Sequence, residues 1–104
     1  MNTKDFSRQQ KAAEKKLDAA LERVTDQKTF VAFLLALSED YALERKLQPE
    51  PDWMVEGPLG WVNFSIDAFL EAGAYQTIDS GYENLSANIW RRCAEIIAAG
   101  KFYE

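Results

Sequence analysis

The stretch TDQKTFVAFLLALSEDYALERKL, Thr25 to Leu47, decides the fold class. Phe30, Phe33, Leu34, Leu37 and Tyr41 recur at helical spacing and form one apolar stripe, which Val31 and Leu35 widen. Thr25 and Asp26 are N-cap candidates, because a short polar side chain can accept from the first unpaired amides of a helix. The spacing predicts a helix to about Leu47. Its broad stripe predicts the most buried helix of the chain, with neighbours on two sides. The charged end SEDYALERK is expected to face water, with Arg45 and Lys46 placed to suit the helix dipole.

Upstream, Phe6, Ala13, Leu17, Leu21 and Val24 mark one face of an amphipathic helix from about Lys4 to Val24. Its other face repeats like charges one turn apart (Lys11 with Lys15, Glu14 with Asp18, Asp18 with Glu22). Such pairs give no internal support, so tertiary packing must hold this helix. Downstream, Pro49, Pro51, Gly57, Pro58 and Gly60 concentrate breakers into a long loop. Ser65 is the candidate cap of a third helix that runs to about Ile78, with Asp67 in its first turn and Ile66, Phe69 and Leu70 on one face. Gly73 in its interior suits a close approach by a neighbour. Asp79-Ser80-Gly81 reads as a turn. A fourth helix is expected after Asn84 and Ser86 and runs to about Ala99. Its apolar face includes Ile89, Trp90, Cys93, Ala94 and Ile97, and Gly100 is its expected stop. The aromatic tail Lys101-Phe102-Tyr103-Glu104 is expected to tuck back onto the body. No strand-like alternation of useful length occurs. The expectation is an all-α fold: one domain over 1–104, a bundle of about four helices with a long Pro/Gly loop between helices two and three.

Composition excludes several function classes. The chain has 104 residues, no histidine and one cysteine. Without histidine the commonest general base and zinc ligand are missing, and Cys93 has no imidazole to activate it. Gly57-Pro58-Leu59-Gly60 lacks the Lys and Ser or Thr of a phosphate loop. No enzyme activity, cofactor or metal site is expected. A polar N-terminus and the lack of a long apolar run predict a cytoplasmic protein with no membrane span. The net charge of −5 argues against direct contact with nucleic acid. The charge is uneven: from Gln48 onward nine acidic residues face only Arg91, Arg92 and Lys101. That imbalance points to a basic protein partner.

Trp61, Asn63, Ser65, Phe69, Leu70 and Ala72, followed by Trp90, Ala94, Tyr103 and Glu104, form a pattern. It resembles a family of short, acidic, helical bacterial proteins. Those proteins are similar to the immunity proteins of contact-dependent inhibition and other polymorphic toxin systems. The resemblance covers the chain from Trp61 onward and, loosely, Phe30 to Leu37. It implies an immunity protein that binds and neutralises a cognate toxin domain, expected to be of nuclease type, through an acidic surface. The Gly57–Gly60 loop and Gly73 depart from the family pattern.

The partner-binding candidates are Glu50, Asp52, Trp53, Glu56, Asp67, Glu71, Asp79 and Glu83. Glu50, Asp52 and Glu56 flank Trp53, an arrangement that suits either an aromatic anchor ringed by charge or a tryptophan plugging the core. Asp67 and Glu71 stand one turn apart and read as a solvated helix face, a partner surface or, least of all, a metal or acid–base pair. Asp79 and Glu83 flank a turn and would extend the acidic face. Trp61 and Trp90 belong to the core. The basic residues near the start (Lys4, Arg8, Lys11, Lys15, Lys16) are diluted by acids and lack a stacking platform, so they read as a solvated face. The alternative to an immunity protein is a helical adaptor or homodimer that uses the fourth helix and the tail.

Overall fold

Asp26 opens the second helix with a reciprocal cap. Its Oδ1 accepts from the Thr29 amide at 2.9 Å, and the Thr29 hydroxyl accepts from the Asp26 amide at 3.1 Å. Such a cap satisfies two amides that the helix cannot pair. The protein's structure, a computed structural model, describes residues 3–52, 55–83 and 85–103. Among them are four α-helices: α1 (Thr3–Glu22), α2 (Gln27–Leu47), α3 (Ile66–Asp79) and α4 (Ile89–Ala98), with a 3₁₀ turn η1 (Ala99–Lys101) directly after α4. No strand occurs among the described residues, so the expected all-α architecture holds.

α1 and α2 fold back on each other, and Val24 in their connection is almost fully buried. As the like-charge pattern predicts, α1 draws on tertiary contact: Ala13, Leu17, Ala20 and Leu21 all pack against the core. α4 lies against both. Its cap is Asn88, two residues later than Ser86, and that side chain works in two directions. Its Oδ1 accepts from the Arg91 amide at 3.1 Å, while its Nδ2 donates to the Thr25 carbonyl at 3.1 Å. The start of α4 is thereby tied to the α1–α2 turn, where Phe30 and Trp90 meet at 5.8 Å.

α3 packs on α4 and η1 at close range. A Cβ at Gly73 would fall 2.7 Å from the Ile96 carbonyl oxygen, and one at Gly100 the same distance from the Phe69 carbonyl oxygen. Gly73 therefore permits the close approach that its place in the sequence implies. Gly100 does not terminate α4 in a left-handed conformation. It continues into η1, and what requires glycine there is the neighbouring backbone of α3.

Several further features differ from the sequence reading, among them Ile89, expected on the apolar face of α4 and exposed. Val31 and Leu35 are exposed, so α2 buries one narrow side, along Phe33, Leu37, Asp40 and Glu44. Ile66 and Leu70 also face outward. Phe102 points to solvent, whereas Lys101 beside it is buried. The tail is held by polar bonds: Asn63 Nδ2 donates to the carbonyls of Gly100 and Tyr103 at 2.8 and 3.0 Å.

The largest correction concerns the charged end of α2. Asp40 and Glu44 lie inside, with Glu44 only 1% exposed. They continue the stripe of Phe33 and Leu37 at spacings of three and four, and the loop closes over them. Asp40 Oδ2 accepts from the Trp61 indole at 2.8 Å and pairs with Lys101 Nζ at 2.9 Å. The ammonium also sits 5.7 Å from the centre of the Trp61 ring. Glu44 Oε1 accepts from the Leu59 amide at 3.0 Å. Tyr41, one turn before Arg45, donates to the Phe64 carbonyl at 3.2 Å and meets the Trp61 ring edge-on at 4.7 Å. The loop adds its own bonds, from Gly57 N–H to Trp61 O and from Val62 N–H to Lys101 O. A Cβ on Gly57 would strike the Glu44 carboxylate, so glycine lets the loop pass directly over a buried acid.

Removing one member of a buried ion pair strands the other charge, which costs about 3–5 kcal/mol. Lys101→Met should therefore lower unfolding free energy by roughly that amount in urea titrations. Adding Asp40→Asn, which keeps an acceptor for Trp61, should recover at least part of the loss. Equal instability of the single and double variants would show that the pair is not coupled.

Burial pushes the Glu44 carboxyl above its ordinary value, and nearby Asp40 adds to the rise. The amides of Leu59 and Trp61 and the Lys101 ammonium oppose it. The folded chain consequently holds this proton more tightly than the unfolded chain does. The stability that Glu44 contributes is fully present below the ordinary glutamate range and is lost as pH rises through the elevated folded value. Glu44→Gln mimics the protonated form. Its unfolding free energy should gain on that of the native sequence as pH rises from the ordinary glutamate range through the elevated folded value, and parallel curves would contradict the assignment.

Candidate functional site

Ser65 sets the start of α3 by accepting from the Ala68 amide at 3.3 Å. The Ser65 hydroxyl and then the Ala68 amide also hold the Asp67 carboxyl below its usual range, so Asp67 stays ionised. Phe69, Ala72, Gly73 and Thr77 take the inner side of the helix. Asp67, Glu71, Tyr75 and Asp79 are left on the open side.

Glu71 and Asp79 border one shallow depression of about 290 Å³, together with Asn63, Tyr75 and Tyr103. The Tyr103 hydroxyl donates to Asp79, which raises the pKa of the phenol. That shift is the opposite of what a phenolate nucleophile or base requires. The contact serves to fasten the tail to the end of α3.

The other candidates lie apart from this depression. Glu56 borders a different one, beside Gln10 of α1 and Leu47 at the end of α2. Glu50 and Asp52 are exposed in the segment after α2, and Glu83 is exposed beyond the turn that follows α3. Trp53, the expected anchor of the loop acids, lies outside the described residues. Among the described residues no ion pair joins Glu50, Glu56, Asp67, Glu71 or Glu83 to a basic side chain.

One surface was absent from the sequence reading. Between α2 and the start of α3 runs an open apolar groove of about 450 Å³, lined by Leu34, Tyr41, Phe64, Ile66, Phe69 and Ile97 among others, with Arg45 on its wall. Its signal lay in α3, whose apolar positions Ile66, Phe69, Leu70, Ala74 and Ile78 cover too wide an arc for one neighbour to bury.

No group of three or more Cys, Asp or Glu that could hold a metal occurs among the described residues. No helix among them is long and apolar enough to cross a membrane. The arrangement is suited to contact: exposed carboxylates and apolar side chains lie side by side on one helix. Comparison of the chain with family models, with curated proteins and with solved structures gave no match.

Proposed function

We propose that this chain is a binding protein that neutralises a basic protein domain, in the manner of an immunity protein that shields a toxin. One observation carries the reading. The fold divides the acidic side chains into two groups: Asp40 and Glu44 are buried in structural bonds, whereas Asp67, Glu71 and Asp79 stand exposed along a helix that contains no Lys or Arg. Such a helix presents a concentrated negative field on a rigid frame. Many toxin domains that cut nucleic acid carry a basic cleft for phosphate, and an acidic helix can occupy that cleft. Electrostatic steering would speed encounter, and apolar contact would slow release. The role requires neither catalysis nor a cofactor.

A second reading is favoured by a separate observation. Val31, Leu35, Ile66 and Leu70 are exposed apolar side chains, as in a subunit that associates with itself or with a stable adaptor complex. Sedimentation that depends on concentration and ignores salt would support it.

Retention of partners by the tagged chain at low and moderate salt, followed by mass spectrometry, tests the neutralisation reading. One basic domain should be held at low salt and released as salt rises. Asp67→Lys with Glu71→Lys should slow its association by about tenfold or more at low salt. An unchanged rate and salt dependence would remove α3 from the interface. Recovery only of the chain itself would favour self-association.

A further inference from the structure

The open side of α3 carries two parallel rows. Ile66, Leu70, Ala74 and Ile78 follow one another at i,i+4, and all are exposed, with Ile66 at 80%, Leu70 at 63% and Ile78 at 50%. One residue further along the chain, Asp67, Glu71, Tyr75 and Asp79 form a second exposed row. Rows at i,i+4 are the surface ridges by which helices pack. Over twelve residues each row extends about 18 Å. Apolar side chains this exposed and this regular mark an interaction surface.

We propose that α3 is the docking surface for an amphipathic helix of a basic protein. The apolar stripe of that helix lies along the Ile66–Ile78 row, and its Lys or Arg side chains face Asp67, Glu71 and Asp79. The inference rests on the partner-binding reading above and specifies its surface and the chemistry of its occupant. Ile66 belongs both to the apolar row and to the groove against α2, so the row leads into a pocket for one large apolar side chain. An anchor in a pocket beside charged neighbours is the arrangement that concentrates binding energy. The described residues contain no strand and hence no sheet edge, which leaves a helix on a helical surface as the fitting mode. Charge selects the occupant. A second copy would bring the same acidic row and a net charge of −5, whereas a basic helix complements both.

The test uses the full chain and two labelled synthetic helical peptides of about 18 residues. One carries Leu at i,i+4 beside a Lys row, and the other has Glu in place of each Lys. Fluorescence anisotropy gives affinity, and backbone amide shifts locate the contact. The Lys-bearing peptide should bind, with shifts centred on Leu70, Ala74 and Ile78. Leu70→Ser with Ile78→Ser, both at exposed positions, should weaken binding by about tenfold or more. Asp67→Asn with Glu71→Asn should flatten its salt dependence. Failure of the Lys-bearing peptide to bind, equal binding of the Glu-bearing peptide, or shifts confined to other helices would overturn the proposal. So would a dimer of the native chain that Leu70→Ser with Ile78→Ser dissolves, since a second copy would then be the occupant. A toxin domain held equally by the native chain and that double variant overturns the α3 surface but leaves neutralisation standing. Peptide binding with no toxin recovered from cells does the reverse.

Discussion

The bond network between Asp40 and Lys101 under the Trp61 ring is the constraint on which the rest of this structure depends. It joins the middle of α2, the connecting loop and the turn after α4 at one point, and the bonds of Tyr41, Val62 and Asn63 then hold the same three segments together. Asp40 accepts from the indole and from the ammonium, so the loop and the tail are fastened to one carboxylate. Glu44, one turn on, holds the loop a second time through Leu59. α3 then emerges from a loop whose path is already set. It can approach α4 and η1 so closely only because Gly73 and Gly100 carry no side chain. The outward direction of Asp67 and Glu71 thus follows from bonds made on the far side of α3. A buried pair of this kind adds little net stability, and its main effect here is to select one arrangement of the loop.

Much of the fold was legible because it rests on local rules. The Asp26 and Ser65 caps, the periodicity of α1 and α2, and the breakers after Leu47 each act within a few residues. What escaped was information held in pairs. Asp40 and Glu44 look solvated when read as part of a charged run. Yet they fall on the same stripe as Phe33 and Leu37, and a carboxylate on an apolar stripe needs a donor. The donors are Trp61, Leu59 and Lys101, up to sixty-one residues away, and no local pattern announces them. Lys101 lies in an aromatic tail expected to tuck back onto the body, but nothing local marks the lysine, rather than Phe102, as the side chain that is buried.

The candidate site was legible to a different degree. Asp67 and Glu71 could be placed on one face of a helix from spacing alone, and Asp79 continues that row. That Glu56 borders a separate depression beside α1 depends on the course of the loop, which the buried carboxylates set. Spacing placed Ile66 and Leu70 on one face with Phe69, but it does not tell how much of that face a neighbour covers. Here the inner side of α3 is narrow, because small residues such as Ala72 and Gly73 suffice for backbone contact at close range. The large side chains are displaced outward, beside the acids. Close helix packing on one side therefore generates the mixed apolar and acidic character of the other.

The span from Asp40 to Lys101 also bears on how the chain is made. Synthesis runs from the N-terminus at about 5–20 residues per second, and segments fold as they become complete. α1 and α2 can pair early, because only a short turn separates them. Asp40 and Glu44 must then wait in water until the loop and Lys101 arrive. During that interval a water-exposed carboxylate is the most comfortable state for α2, and the apolar side chains around it are uncovered. The latch residue follows Asp40 by sixty-one positions, so until it emerges the paired α1 and α2 form a helical hairpin with an open seam, a state in which chaperones and proteases can tell an unlatched molecule from a latched one.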